Sequence, residues 1–144
     1  VALLAFEDHY ACVWAGDSRL YLLRDGELSR LSHDHSEVQE MVDRGVLTPE
    51  EAQGHQKSNI VTRAVGAGEP LQLEVRHAAI HPGDLFLLCS DGLTGMVTDE
   101  EIRRVLLAMP PETAADGLMA LALDRGARDN VTLVLVCAEG GDRP

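Results

Sequence analysis

The sequence predicts an α+β fold. In it, largely antiparallel sheets pack into a β-sandwich flanked by helices, with a small helical flap inserted. Three observations carry this. Short apolar runs separated by turn signals recur as hairpins, which favours antiparallel pairing. Two later segments place apolar residues at helical spacing and need a sheet face to cover. Ahead of those segments, Leu85 to Cys89 is apolar throughout, as a strand buried on both faces is.

The composition bounds what such a domain can do. A chain of 144 residues suits one domain with a sizeable core. Hydrophobic residues make up 45% and charged residues 25%, so the chain is globular and not disordered. Aromatics are only 3%, which leaves the core to Leu, Val, Ala and Ile. Twelve basic residues stand against 24 acidic ones, a net charge of −12. Nothing here would neutralise a run of phosphates, so nucleic acid is excluded as a partner. The same balance fits a cytoplasmic protein and leaves carboxylates to bind cations. No apolar run is long enough to span a bilayer, so no membrane role is expected. The cysteines Cys12, Cys89 and Cys137 are odd in number and form no Cys-x-x-Cys pair. Each lies in an apolar run and reads as a buried thiol, not as a disulfide or zinc ligand. Val1 opens the chain inside an apolar run, with no Met, and reads as the start of a piece of a longer protein.

Val1 to Phe6 and Tyr10 to Ala15 read as a hairpin, interrupted by the polar Glu7-Asp8-His9. Leu20 to Leu23 and Glu27 to Leu31 read as a second hairpin around Asp25-Gly26, a strong two-residue turn signal. The pattern then changes. Ser36 with Gln39 forms the sequence of a capping box, Val38, Met41 and Val42 give one apolar face, and Gly45 stops the helix. Thr48 caps a second short helix that begins at Pro49. This more polar excursion, residues 33–66, is expected to be a mobile flap, and Asn59 to Gly66 brings the chain back. Leu71, Leu73 and Val75 alternate with polar residues, as in a strand with one wet face. His81-Pro82-Gly83-Asp84 turns into the apolar run that ends at Asp91-Gly92. Thr98 and Glu101 make another capping box, before a helix carrying Ile102, Val105, Leu106 and Met109. A helix from Glu112 to Arg125 follows, its apolar face built from Ala115, Leu118, Met119 and Ala122. Asp129-Asn130 leads into a last strand, Val131 to Cys137, and residues 140–144 read as a frayed tail.

Three acids share one setting. Asp17, Asp91 and Asp129 each stand at the end of an apolar strand, beside Gly or Asn. Acids at strand ends can meet at one sheet edge on a rigid backbone. Oxygen-only ligands suit hard cations such as Mg²⁺ or Mn²⁺. Set against this is the plain reading of turn acids, since Asp-Gly is a common turn dipeptide. His33 and His35 read as solvated histidines at a helix start. His9, His55 and His81 read as loop residues, and His77 as a packed rim histidine. Ser18 and Ser90 each adjoin an Asp, but neither lies in a Gly-x-Ser-x-Gly elbow. Arg63 could meet an anion, or be a solvated or salt-bridged arginine.

Five motifs, in order, resemble a known family. They are Gly16-Asp17-Ser18-Arg19 with Tyr21 to Leu28, Asp34-His35-Ser36, Asn59 to Gly66, Gly83-Asp84 with Leu87 to Leu93, and Asp129-Asn130-Val131-Thr132. Together they resemble the bacterial form of the metal-dependent protein serine/threonine phosphatases of the protein phosphatase 2C type, the PPM family. The resemblance implies hydrolysis of phosphoserine and phosphothreonine esters by a metal-activated water. It makes Asp91 and Asp129 the catalytic acids, acting through Mn²⁺ or Mg²⁺, with two or three ions in the complete domain. It makes Asp17, Asp91 and Asp129 metal ligands, supported by Asn130, Gly92 and Ser90. The implied partners are phosphorylated proteins, with a serine/threonine kinase and its substrates.

The match covers only the later part of the family domain. The family's Asp-Gly-x-Gly-Gly motif does not occur here, because the Asp-Gly pairs at 25, 91 and 116 lack the following glycines. Residues 1–144 are therefore expected to be the C-terminal part of one catalytic domain, inactive alone, with open sheet edges that invite dimerisation. The alternative is a non-catalytic module that binds phosphoproteins or a kinase.

Overall fold

The computed structural model describes residues 1–52, 55, 57, 60–68 and 70–140. Asn59, at the head of one motif, and the tail beyond residue 140 lie outside them. Two hairpins open the chain. The first joins β1 (Ala2–Phe6) to β2 (His9–Trp14), with Glu7 turning at a φ of 53°. The second joins β3 (Arg19–Arg24) to β4 (Glu27–Arg30) through Asp25 and Gly26, at φ of 51° and 81°. Positive φ at both central residues marks the tight turn read from Asp-Gly. The excursion carries α1 (Glu37–Asp43) and α2 (Pro49–Ala52). Then come β5 (Glu74–Ala79), β6 (Leu85–Cys89), α3 (Asp91–Thr94), α4 (Asp99–Ala108), α5 (Pro111–Asp124) and β7 (Leu133–Cys137).

The strands form two antiparallel sheets, one in the order β1-β2-β5 and one in the order β4-β3-β6-β7. Tyr10, Cys12 and Trp14 of β2 pack between the sheets against Leu20, Leu22 and Phe86. Tyr10 meets Phe86 edge-on, with ring centroids 5.0 Å apart. The other face of the four-stranded sheet carries Tyr21, Leu23, Leu85, Leu87 and Cys89 against Leu93, Ile102, Leu106, Ala114, Leu118 and Ala122. β6 is thus covered on both faces, as its unbroken apolar run requires.

The structure departs from the sequence reading in several places. No strand forms across residues 71–73, and the strand expected there begins only at Glu74. Leu71, Leu73 and Val75 are exposed. The register pairs buried Cys12 with Arg76, which puts Val75 and His77 on the outward parity. His77 is therefore exposed, not packed. That outward face also carries Leu4, 59% exposed, and Phe6, 77% exposed, and among the described residues no helix lies on it. Cys137 is exposed as well, on the edge strand β7, whereas Cys12 and Cys89 are buried. The last strand starts at Leu133 and not at Val131. In α5 the buried line runs through Ala114, Leu118 and Ala122, one residue off the expected face at its start.

At α1, Ser36 accepts from the Gln39 main chain, but the return half of the box is replaced. The Gln39 side chain instead donates to Asp43 and accepts from Arg30. At α4 both halves of the Thr98–Glu101 box form. Among the described residues no helix is long and apolar enough to cross a membrane.

Candidate metal centre

β3 begins, β6 ends and β7 begins at one end of the four-stranded sheet, because Cys89 pairs with both Arg19 and Leu133. Asp17 lies just before β3, Asp91 just after β6, and Asp129 four residues before β7. The antiparallel register therefore delivers the three predicted acids to one rim. Asp91 is the first residue of α3, a single turn that the sequence reading did not include.

Ser90 and Gly92 hold the loop of Asp129 against the start of α3. The Ser90 hydroxyl donates to the Asn130 carbonyl at 3.0 Å and accepts from the Thr132 N–H at 3.0 Å. The Ser90 N–H donates to the Thr132 carbonyl, also at 3.0 Å. At Gly92 a Cβ atom would stand 2.4 Å from the Asn130 carbonyl oxygen. Only glycine admits that approach.

The charges show which acids lie near one another. Half-burial, then the nearby Asp91 carboxylate and more weakly Asp34, hold the Asp17 carboxyl above its ordinary value, against a main-chain N–H and Arg19. Asp17 and Asp91 are thus mutually repelling acids at the rim. Asp129 is exposed, and its Oδ1 accepts the N–H of Asn130 at 2.7 Å. Among the described residues no group of three His, Cys, Asp or Glu side chains is placed to hold a metal by itself. The donor chemistry, two neighbouring carboxylates and a third on the adjoining pinned loop, is of the oxygen-only kind that a hard cation takes, with oxygens from elsewhere needed to complete its shell.

Several polar groups of this rim were not singled out as site residues. Asp34 is buried and accepts from Arg19 Nε at 3.1 and 3.0 Å and from Nη2 at 2.6 Å. Arg19 also donates to the Tyr21 hydroxyl at 3.0 Å, which donates on to Asp99 at 2.8 Å. Burial opposes the charge on Arg19, but the Asp34 hydrogen bonds outweigh it and raise the guanidinium pKa. His35 was expected to be solvated and is buried instead, stacked near Trp14 with ring centroids 6.5 Å apart. Its Nε2 lies 2.9 Å from Glu74 Oε1, which also accepts from Arg63 at 3.2 Å. Arg63 is therefore salt-bridged, one of the two readings its sequence left open. His33 is part-exposed beside Asp43. The signal for the buried pairs was the Asp34-His35-Ser36 motif, but their partners lie 15 and 39 residues away in sequence.

The layered antiparallel fold matches that of solved serine/threonine phosphatases of the PPM type. The chain is homologous to serine/threonine protein phosphatases of that family. It is 41% identical over 134 residues to the serine/threonine protein phosphatase PstP of Mycobacterium tuberculosis, matching 93% of this chain and 26% of PstP. It is 39% identical over 122 residues to the protein phosphatase PhpP of Streptococcus pneumoniae, matching 84% of this chain and 50% of PhpP. The solved PstP catalytic domain, in complex with two manganese ions, superposes at a TM-score of 0.83 with 40% identity. That match covers 92% of this chain and 55% of the domain. No family model matches the chain. The chain thus spans half or little more of the shorter relatives it matches and about a quarter of PstP.

Proposed function

We propose that this chain forms one side of the active site of a metal-dependent phosphatase that hydrolyses phosphoserine and phosphothreonine in proteins. The observation that carries the reading is the rim itself: the strand register brings Asp17, Asp91 and the pinned loop of Asp129 to one end of the four-stranded sheet. Asp17, Asp91 and Asp129 are the residues that would hold Mn²⁺ or Mg²⁺. When bound, such an ion supplies activation of water and neutralises charge on the phosphoryl oxygens. Ser90 and Gly92 keep the Asp129 loop against Asp91, and Asn130 serves through its main chain. The flap, tied at its base by the Thr62 N–H donating to the His35 carbonyl at 2.8 Å, shapes access for a phosphoprotein. Phosphorylated substrates of a cytoplasmic serine/threonine kinase are the matching partner class. The chain has no Asp-Gly-x-Gly-Gly segment, so it binds cation but hydrolyses little or nothing alone.

Mn²⁺ calorimetry on the chain and its Asp91→Ala variant, beside p-nitrophenyl phosphate hydrolysis, tests this. The expected result is binding that Asp91→Ala abolishes, with no hydrolysis above background. Equal binding by both chains would remove Asp91 from the site. Hydrolysis that requires Asp91 would overturn the claim of inactivity.

A further inference from the structure

His35 is the one buried imidazole among the described residues, and it makes contacts in three directions. The Gly16 N–H donates to its Nδ1 at 3.0 Å, while its own main-chain N–H donates to the Gly16 carbonyl at 3.0 Å. Gly16 and His35 are thereby locked in a reciprocal pair. Because Nδ1 accepts a main-chain N–H, it carries no proton, and the proton sits on Nε2. Nε2 then donates to Glu74 Oε1, and this bond, foremost, holds the Glu74 carboxyl below its ordinary value. Glu74 in turn holds Arg63, in the segment that returns from the flap. The imidazole also lies nearly parallel to the Trp14 indole, at 18°, which leaves it little freedom to turn.

Gly16 immediately precedes Asp17 and sits at a φ of 117°, a conformation that the two hydrogen bonds to His35 stabilise. We infer that His35 is a positioning residue. Through its Nδ1 acceptor it fixes the Gly16-Asp17 turn, and so the Asp17 carboxylate, for cation binding at the rim it shares with Asp91. Through Nε2 it ties that turn to Glu74 and the returning end of the flap. The inference rests on the metal-centre reading above and adds to it a residue that touches neither cation nor substrate.

The two nitrogens can be separated by substitution. Asparagine at this position reproduces an acceptor near Nδ1 and loses the donor to Glu74. Glutamine reproduces the donor near Nε2 and loses the acceptor for Gly16. The experiment is Mn²⁺ calorimetry on the unchanged chain, Asp17→Ala, His35→Asn and His35→Gln. Thermal denaturation and the Gly16 amide resonance and its hydrogen exchange are recorded on the same samples. The expected result is Mn²⁺ affinity about tenfold weaker in His35→Gln, with Gly16 amide protection lost. In His35→Asn, affinity and protection stay close to those of the unchanged chain. Wild-type affinity in His35→Gln, while Asp17→Ala abolishes binding, would overturn the positioning role and leave the metal centre standing. Equal loss in both His35 variants would also overturn it, since that would mark imidazole packing and not the acceptor. Absence of Mn²⁺ binding by the unchanged chain would sink the metal-centre reading, and with it this one.

Discussion

Gly92 decides how close two loops can come. Its Cα faces the main chain of Asn130, and an added Cβ would meet carbonyl oxygen at 2.4 Å and carbonyl carbon at 2.9 Å. Neither is the flexible end of a side chain, so one backbone has to move. Gly92→Ala should cost about 1–3 kcal/mol through overpacking. It should also push the Asp129 loop away from Asp91. Thermal denaturation measures the first effect and Mn²⁺ calorimetry the second. Unchanged Mn²⁺ affinity would mean that the Asp129 loop is not needed for binding. The sequence displayed Asp91-Gly92 as a turn dipeptide. That this glycine serves close approach, with α3 starting at Asp91, depends on Asn130 in the loop before β7, far along the chain, and was not legible there. At Asp25-Gly26 the same dipeptide was legible, because its requirement for positive φ is local.

Among the elements, α4 shows what a cap contributes. Thr98 accepts from the Glu101 N–H, while the Glu101 carboxylate accepts from the Thr98 N–H and hydroxyl. Glu101 also binds Arg125 at 2.6 and 2.8 Å, and Arg125 donates on to the Met96 carbonyl at 2.7 Å. The box therefore joins the start of α4 to the turn after α5. Thr98→Ala should lower stability by about 1 kcal/mol, read as a fall in Tm of roughly 4 °C. A Tm within a degree of the unchanged chain would show that the Arg125 bonds hold this corner without the cap. The α4 box was readable because both partners sit three residues apart. The α1 box had the same spacing, yet Gln39 turned to Arg30 and Asp43. Arg30 lies on another element, so the sequence spacing could not include it as a competitor.

Over the whole molecule, the end of the sandwich opposite the acidic rim is closed by one charged pair. Arg24 on β3 donates to buried Asp84 at 2.7 and 2.6 Å, and also to the Ala79 carbonyl of the other sheet at 2.9 Å. Burial alone would raise the Asp84 carboxyl. The Arg24 hydrogen bonds, the His81 N–H and the Arg24 charge outweigh it and hold the carboxyl below its ordinary value. A carboxyl with a depressed folded pKa stabilises the fold above its unfolded value, about 4. That stabilisation is lost as pH falls through the folded value. Glu101, held at about 2 chiefly by its Arg125 hydrogen bonds, contributes with the same sign. Urea denaturation from pH 6 down to pH 3 should therefore show stability falling below about pH 4. Asp84→Asn should be about 3 kcal/mol less stable at pH 6, because Arg24 loses its partner. It should also show a shallower decline toward pH 3. A decline as steep as that of the unchanged chain would mean that Asp84 is not the group responsible.

The sequence by itself determined the hairpins, the strand covered on both faces, the cap of α4 and the order of five motifs. Each of these rests on residues that are neighbours along the chain, where turn chemistry, periodicity and capping act. It also placed Asp17, Asp91 and Asp129 at strand ends. Only the tertiary structure decided that those ends share one rim, since that follows from the pairing of Cys89 with Arg19 and Leu133. It also decided that His35 is buried against Gly16 and that Asp34 is clamped by Arg19. The outward, exposed position of Val75 and His77 was settled in the same way. A strand's alternation gives two faces but not which one turns inward. The partner strand's register makes that choice, and a register spans residues that the sequence holds far apart.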